Sequence, residues 1–149
     1  MKAGPEKELA ERYFERLAKS GEAVGLEFSG VRETPESRAR MADARKREEA
    51  QRLKDGARDA ILVLLDEHGK NLPSKKLASS LAEFRDAGTR HLVFAIGGPD
   101  GHDEMLKRAA GLSLSFGAQT WPHQLVRVML AEQLYRAVTI LSGHPYHRE

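Results

Sequence analysis

"AILVLL" (Ala60–Leu65) and "HLVFAI" (His91–Ile96) decide the fold. Short, nearly unbroken apolar runs of this kind mark strands that are buried on both faces, as in a parallel sheet. Between them, "PSKKLASSLAEFRDAG" (residues 73–88) carries Leu77, Leu81 and Phe84 at helical spacing, with Ser74 placed to cap the start and Gly88 to end the helix. Strand, helix and strand at this separation form a right-handed crossover unit with parallel strands.

The flanking sequence extends the alternation. "GPEKELAERYFERLAKSG" (residues 4–21) is an amphipathic helix, with Pro5 in the first turn and Leu9, Tyr13, Phe14 and Leu17 on one face. "AVGLEF" (residues 23–28) alternates Val24, Leu26 and Phe28 as a strand does, and "PESRARMADARKREEAQRLKDG" (residues 35–56) reads as a solvated helix. Arg40, Lys46 and Arg47 on it either touch phosphate or simply face water. After the second run come a helix in "HDEMLKRAA" (residues 102–110), a short strand in "LSLSFG" (residues 112–117) and a long helix in "HQLVRVMLAEQLYRAVTILSG" (residues 123–143). On this last helix Leu125, Val128, Met129, Glu132 and Tyr135, joined by Leu130 and Leu134, form a face too broad for a small domain to cover, which predicts a homodimer. The whole reads as one α/β domain over residues 1–149, a parallel sheet with flanking helices.

Composition narrows the chemistry. At 149 residues and 40% hydrophobic content there is material for one core, and the formal charge of +2 permits a nucleic-acid partner without demanding one. The absence of cysteine removes disulfides, thiolate metal sites and cysteine nucleophiles. The start is charged and no apolar run is long enough to span a bilayer, so the expectation is a soluble, cytoplasmic protein with no membrane partner.

Ligands of open parallel sheets bind where the strands' carboxyl ends emerge. Three loops leave those ends: "DEHGK" (residues 66–70), "GGPDG" (residues 97–101) and "GAQTWPH" (residues 117–123). Gly97, Gly98 and Gly101 allow close backbone approach, and Asp100 lies near a helix start, but the spacing fits neither the dinucleotide fingerprint nor the Walker loop. The segment is a ligand loop or a plain turn. Trp121, beside Pro122 and His123, either wraps a ligand or packs the helix entry. The end, "GHPYHRE" (residues 143–149), sets His144, Tyr146, His147 and Arg148 around a rigid Pro145, an unusual concentration of chemistry for a terminus. We read no metal site there, since a third ligand is missing and Pro145 breaks the helical spacing.

"FAIGGPDG" (residues 94–101), "LSLSFGAQTWPHQLVRVMLAEQLYRA" (residues 112–137) and "SGHPYHRE" (residues 142–149) together resemble the ribosomal large-subunit methyltransferase H family of SPOUT proteins. The resemblance implies a SPOUT-type α/β knot, a deep C-terminal trefoil, and an S-adenosylmethionine-dependent enzyme that methylates N3 of a pseudouridine in 23S rRNA. It implies a homodimer acting on the ribosome, in which the tail of one subunit completes the cofactor pocket of the other. Carried over by position, the cofactor contacts fall on Leu65, Gly97, Phe116, Gly117, Ala118, Gln119, Thr120 and Trp121, and the catalytic groups on Tyr146, His147 and Arg148. The competing class is a non-catalytic RNA-binding or ribosome-assembly protein that keeps the fold.

Two departures stand out. Asp100 occupies a place where the family more often has Glu, and the chain lacks the usual first strand, which precedes the segment matching "KAGPE" (residues 2–6). An empty slot inside a sheet would strand several backbone donors and acceptors. The expectation is therefore that "AVGLEF" pairs directly with "HLVFAI", or that a strand is encoded upstream of Met1.

Overall fold

The structure, a computed structural model, describes residues 3–34, 36–97 and 100–146. Its elements run α1 (Pro5–Gly21), α2 (Ala42–Gly56), β1 (Ile61–Lys70), α3 (Ser74–Asp86), β2 (Leu92–Ile96), α4 (Glu104–Ala109), β3 (Leu112–Leu114) and α5 (His123–Ser142), with one 3₁₀ turn at Glu22–Val24. They fall into two compact units. A helical unit takes Met1–Arg32, Leu72–Gly88 and Trp121–Glu149, and a sheet unit takes Glu33–Asn71 and Thr89–Thr120.

The sheet unit is built on the two apolar runs. β1 lies between β2 and β3, all parallel, with Leu62 opposite Val93, Leu64 opposite Ala95 and Leu65 opposite both Ile96 and Leu114. Alternation sends Leu62 and Leu64 to one face, where they pack with Ala95, Ala50 of α2 and Leu106 of α4; Val63 and Leu65 are buried on the other. The two apolar runs thus form the expected parallel strands, with α3 between them in sequence. α4 begins at Asp103, whose carboxylate accepts from the Met105 N–H at 3.0 Å and the Leu106 N–H at 3.4 Å.

Several expectations need correction. "DEHGK" is not a loop: β1 continues to Lys70 through an irregularity, Lys70 pairs again with Leu114, and the Ser115 N–H donates to the Lys70 carbonyl at 2.9 Å. Gly69 makes this possible, since a Cβ there would lie 2.7 Å from the Ser113 carbonyl carbon and oxygen. α2 starts at Ala42 rather than near Pro35, because residues 36–41 fold back along it. There Ser37 is buried, its N–H donating to Glu49 at 3.0 Å and its hydroxyl to Glu48.

In the helical unit α1 and α3 both pack on α5. "AVGLEF" forms no strand there. Gly25 has φ 76°, which breaks any extended run, and the Leu26 N–H returns to the Gly21 carbonyl at 2.8 Å. The Val24 carbonyl accepts from Arg85 at 2.7 Å, and Phe28 stacks on Phe14 with ring centroids 5.0 Å apart. These groups are satisfied locally, so "AVGLEF" does not pair with β2; among the described residues β2 has β1 as its only strand partner. Ser74 is the first residue inside α3 rather than its cap, and its hydroxyl donates to the Gln133 side chain at 2.7 Å. The face expected on α5 divides, with Met129 and Glu132 only half-buried. Val128, Leu130, Leu134 and Tyr135 are buried within this chain, while Leu125 stays 40% exposed.

Candidate functional site

In-register pairing sets the carboxyl ends of β2 and β3 on either side of Leu65, midway along β1. Leu65 lies opposite Ile96 and Leu114, so Gly97 follows one neighbour directly and Phe116 and Gly117 come soon after the other. Leu65 is buried, Gly97, Phe116 and Gly117 are half-buried, and Ala118, Gln119 and Thr120 are exposed. The sheet therefore brings four of the eight nominated cofactor contacts, Leu65, Gly97, Phe116 and Gly117, to one end of the sheet unit, and Ala118, Gln119 and Thr120 follow in sequence. Trp121 opens the last segment of the helical unit, 37% exposed. Gly98 lies outside the described residues.

The two turns at this end are held differently. After β3, the Ser115 hydroxyl accepts from the Gly117 N–H at 3.0 Å and lies 2.8 Å from the Gly117 carbonyl and 3.2 Å from that of Glu67. Gly117 has φ 119° and open space where a Cβ would point, so bare backbone faces outward there. After β2, Asp100 does not serve the helix start, which belongs to Asp103. Arg45 of α2 grips it instead, Nε at 2.6 Å from one carboxylate oxygen and Nη2 at 2.9 Å from the other. The hydrogen bond and charge of Arg45 hold the Asp100 carboxyl below its ordinary range.

Beneath the same turn His102 is 5% exposed, its Nε2 donating to the Ala95 carbonyl at 3.3 Å. Burial pushes the imidazole below its ordinary value of 6.5, more than the carbonyls of Ala95 and Leu65 and the charge of Asp66 raise it. The ring is therefore mainly neutral at neutral pH. A Cβ on Gly97 would approach this ring to 3.3 Å and the Gly101 carbonyl carbon to 3.2 Å, so any side chain there would have to push ring or backbone aside by a few tenths of an ångström before any ligand arrives. Lys107 reaches Asp66 at 3.5 Å from α4.

Of the tail, His147 and Arg148 lie outside the described residues, so only Tyr146 of the proposed catalytic groups is placed. It folds onto α5. Its ring meets Tyr135 edge-on at 4.7 Å, Arg136 lies 5.1 Å over it, and its hydroxyl donates to Glu132 at 3.4 Å. Burial, a hydrogen bond with Tyr13 and the Glu132 charge push the phenol well above its ordinary value, so it stays protonated at neutral pH. His144 shapes this turn, Nδ1 accepting from the Tyr146 N–H at 3.1 Å.

Arg45 and His102 are the residues that sequence reasoning missed. Arg45 sits beside Lys46 and Arg47 in a helix read as solvated, and its partner is 55 positions away. His102 is one polar residue at a helix entry, and nothing local reveals that it is buried.

A family model described as a predicted SPOUT methyltransferase matches residues 1–147. The chain is 66% identical to a Chelativorans protein over all of its own length and 86% of the relative's. It is 62% identical to one from Mesorhizobium japonicum and 58% to one from Brucella anthropi, in each case over 99% of this chain and 93% of the relative. All three relatives bear the name ribosomal RNA large subunit methyltransferase H. With a parallel sheet whose strand ends carry the expected glycine turns, and matches of this extent, the chain belongs to the SPOUT methyltransferase family.

Proposed function

We propose that the protein is an S-adenosylmethionine-dependent methyltransferase of the large ribosomal subunit, transferring a methyl group to N3 of a pseudouridine in 23S rRNA. It acts in the cytoplasm as a homodimer of one SPOUT domain spanning residues 1–149, with the C-terminal segment threaded as a trefoil knot. The observation that carries the reading is the alignment of Leu65, Gly97 and Phe116–Gly117 at one end of the sheet unit in a chain so similar to proteins of that name.

The residues present suit the cofactor. An adenine needs backbone donors and acceptors with little side-chain bulk around them, and open space beside Gly117 and Gly101 supplies that, next to apolar Leu65. When bound, S-adenosylmethionine brings a methyl group already activated by its sulfonium. The protein's remaining tasks are to align N3 with that methyl and to manage the N3 proton. Tyr146, a protonated phenol turned toward Glu132, is unsuited to accept a proton and serves to pin the tail on α5. That leaves proton transfer or base positioning to His147, and contact with RNA or the developing anion to Arg148.

The test is transfer of labelled methyl from S-adenosylmethionine to ribosomes from a strain lacking the modification. Wild type is expected to methylate them, and a chain ending at Tyr146 to melt like wild type but transfer nothing. Ribosome binding without transfer by the wild type would instead establish the non-catalytic RNA-binding reading.

A further inference from the structure

Gly97 and Gly101 lack side chains, Gly101 has φ 83°, and glycine loses more conformational freedom on ordering than any other residue. Two groups outside the turn after β2 bind at its described residues and beside them. One is His102 below. The other is Arg45, whose two-point contact with Asp100 fixes the plane of the carboxylate as well as its distance. The remaining Arg45 nitrogen, Nη1, donates to the Ala39 carbonyl at 3.1 Å and the Arg40 carbonyl at 2.9 Å. One guanidinium thus joins α2, the segment folded back before it, and the glycine turn. The pair is partly shielded, the side chains being 29% and 20% exposed.

We infer that Arg45 is a positioning residue for cofactor binding: it holds Asp100, and with it Gly101, in the place that receives the cofactor beside Gly97. It touches no reacting atom. The inference rests on the reading of this turn as part of the cofactor site. A turn that must be ordered on binding costs affinity, whereas one already ordered does not. Lysine would keep the charge but not the fork, so it replaces Arg45 only in part.

The experiment measures S-adenosylmethionine affinity by calorimetry, methyl-transfer kinetics and amide hydrogen exchange at Asp100–His102, in wild type, Arg45→Ala, Arg45→Lys, Asp100→Ala and the double alanine variant. Arg45→Ala is expected to weaken cofactor binding about tenfold, the scale of one or two groups that must newly be ordered on binding. At saturating cofactor kcat should fall by less than about twofold, and exchange at the turn should quicken. Arg45→Lys should fall between. The double variant should be no worse than the worse single one, since both remove the same contact. Unchanged affinity and exchange in Arg45→Ala, or strictly additive losses, would overturn the inference. If Arg45→Ala fails to fold, Arg45→Lys and Asp100→Asn carry the same comparison. The exchange measurement needs no cofactor, so a wild type that binds none would defeat the functional reading while still deciding whether Arg45 orders the turn.

Discussion

The two glycine turns at one end of the sheet unit leave the strands on either side of β1, yet they are stabilised by opposite means. The turn after β2 is held by charge and by a buried titratable ring, Arg45 on Asp100 and His102 on Ala95. The turn after β3 is held by a neutral hydroxyl and by backbone, with Ser115 bonded to Gly117 and to the β1 extension. The first brace comes from 55 residues away and the second from within two. Conditions that change protonation should therefore loosen one turn and spare the other.

The largest effect should follow from attacking the scaffold of the second turn. In Gly69→Ala the new Cβ would meet only backbone, the Ser113 carbonyl carbon and oxygen at 2.7 Å and the Leu114 carbonyl carbon at 2.8 Å, and no side chain can move aside. A loss of roughly 3 kcal/mol is expected from such overpacking, read as a lower denaturation midpoint at unchanged slope. A variant as stable as wild type would mean that β1 does not approach β3 so closely, and the second turn would lose its rigid floor.

Ser115→Ala should cost less, about 1 kcal/mol, because it leaves the partly buried Gly117 N–H without its acceptor but displaces nothing. Its cost should be the same at acidic and neutral pH. A cost that varied with pH would erase the distinction between the turns.

How far the sequence reaches is seen in the same residues. β1, β2 and α5 are legible because a continuous apolar run or a helical period is a property of neighbouring residues. "AVGLEF" misleads because three alternating apolar residues serve equally well for packing Phe28 on Phe14, and nothing in the pattern reports the φ of Gly25. The extension of β1 through "DEHGK" is hidden because polar residues occupy it and only the contact at Gly69 explains it. At the site, the glycine turns are visible as composition, while their braces are not. Arg45 is one cation among many on a charged helix, and the burial of His102 is a tertiary fact. The assignment of the cofactor to these loops came from the family resemblance joined to the strand-end rule, and the tail's role came from the resemblance alone.

The smallest effect, and the one that separates the turns most cleanly, is the pH dependence contributed by His102. Its folded-state pKa lies below the ordinary 6.5 chiefly because burial disfavours the cation; Lys107 acts in the same direction, and Asp66 with the carbonyls of Ala95 and Leu65 acts against it. Below that ordinary value the unfolded chain binds more protons at this residue than the folded one. The neutral ring's contribution is thus fully present above 6.5 and is lost as pH falls through 6.5 toward the folded value. Asp100 acts in a lower window, since its carboxyl is held below 3.8 by Arg45, and its contribution is lost only as pH falls beneath that value. Denaturant titrations at about pH 7 and about pH 5 sample the first window without entering the second. His102→Gln keeps a side-chain N–H for the Ala95 carbonyl but cannot titrate, so it should lose less stability than wild type over that interval, whereas Ser115→Ala should lose as much as wild type. Equal losses in wild type and His102→Gln would show that the ring carries no proton linkage, leaving the Arg45–Asp100 pair as the pH-sensitive brace of the first turn among the described residues.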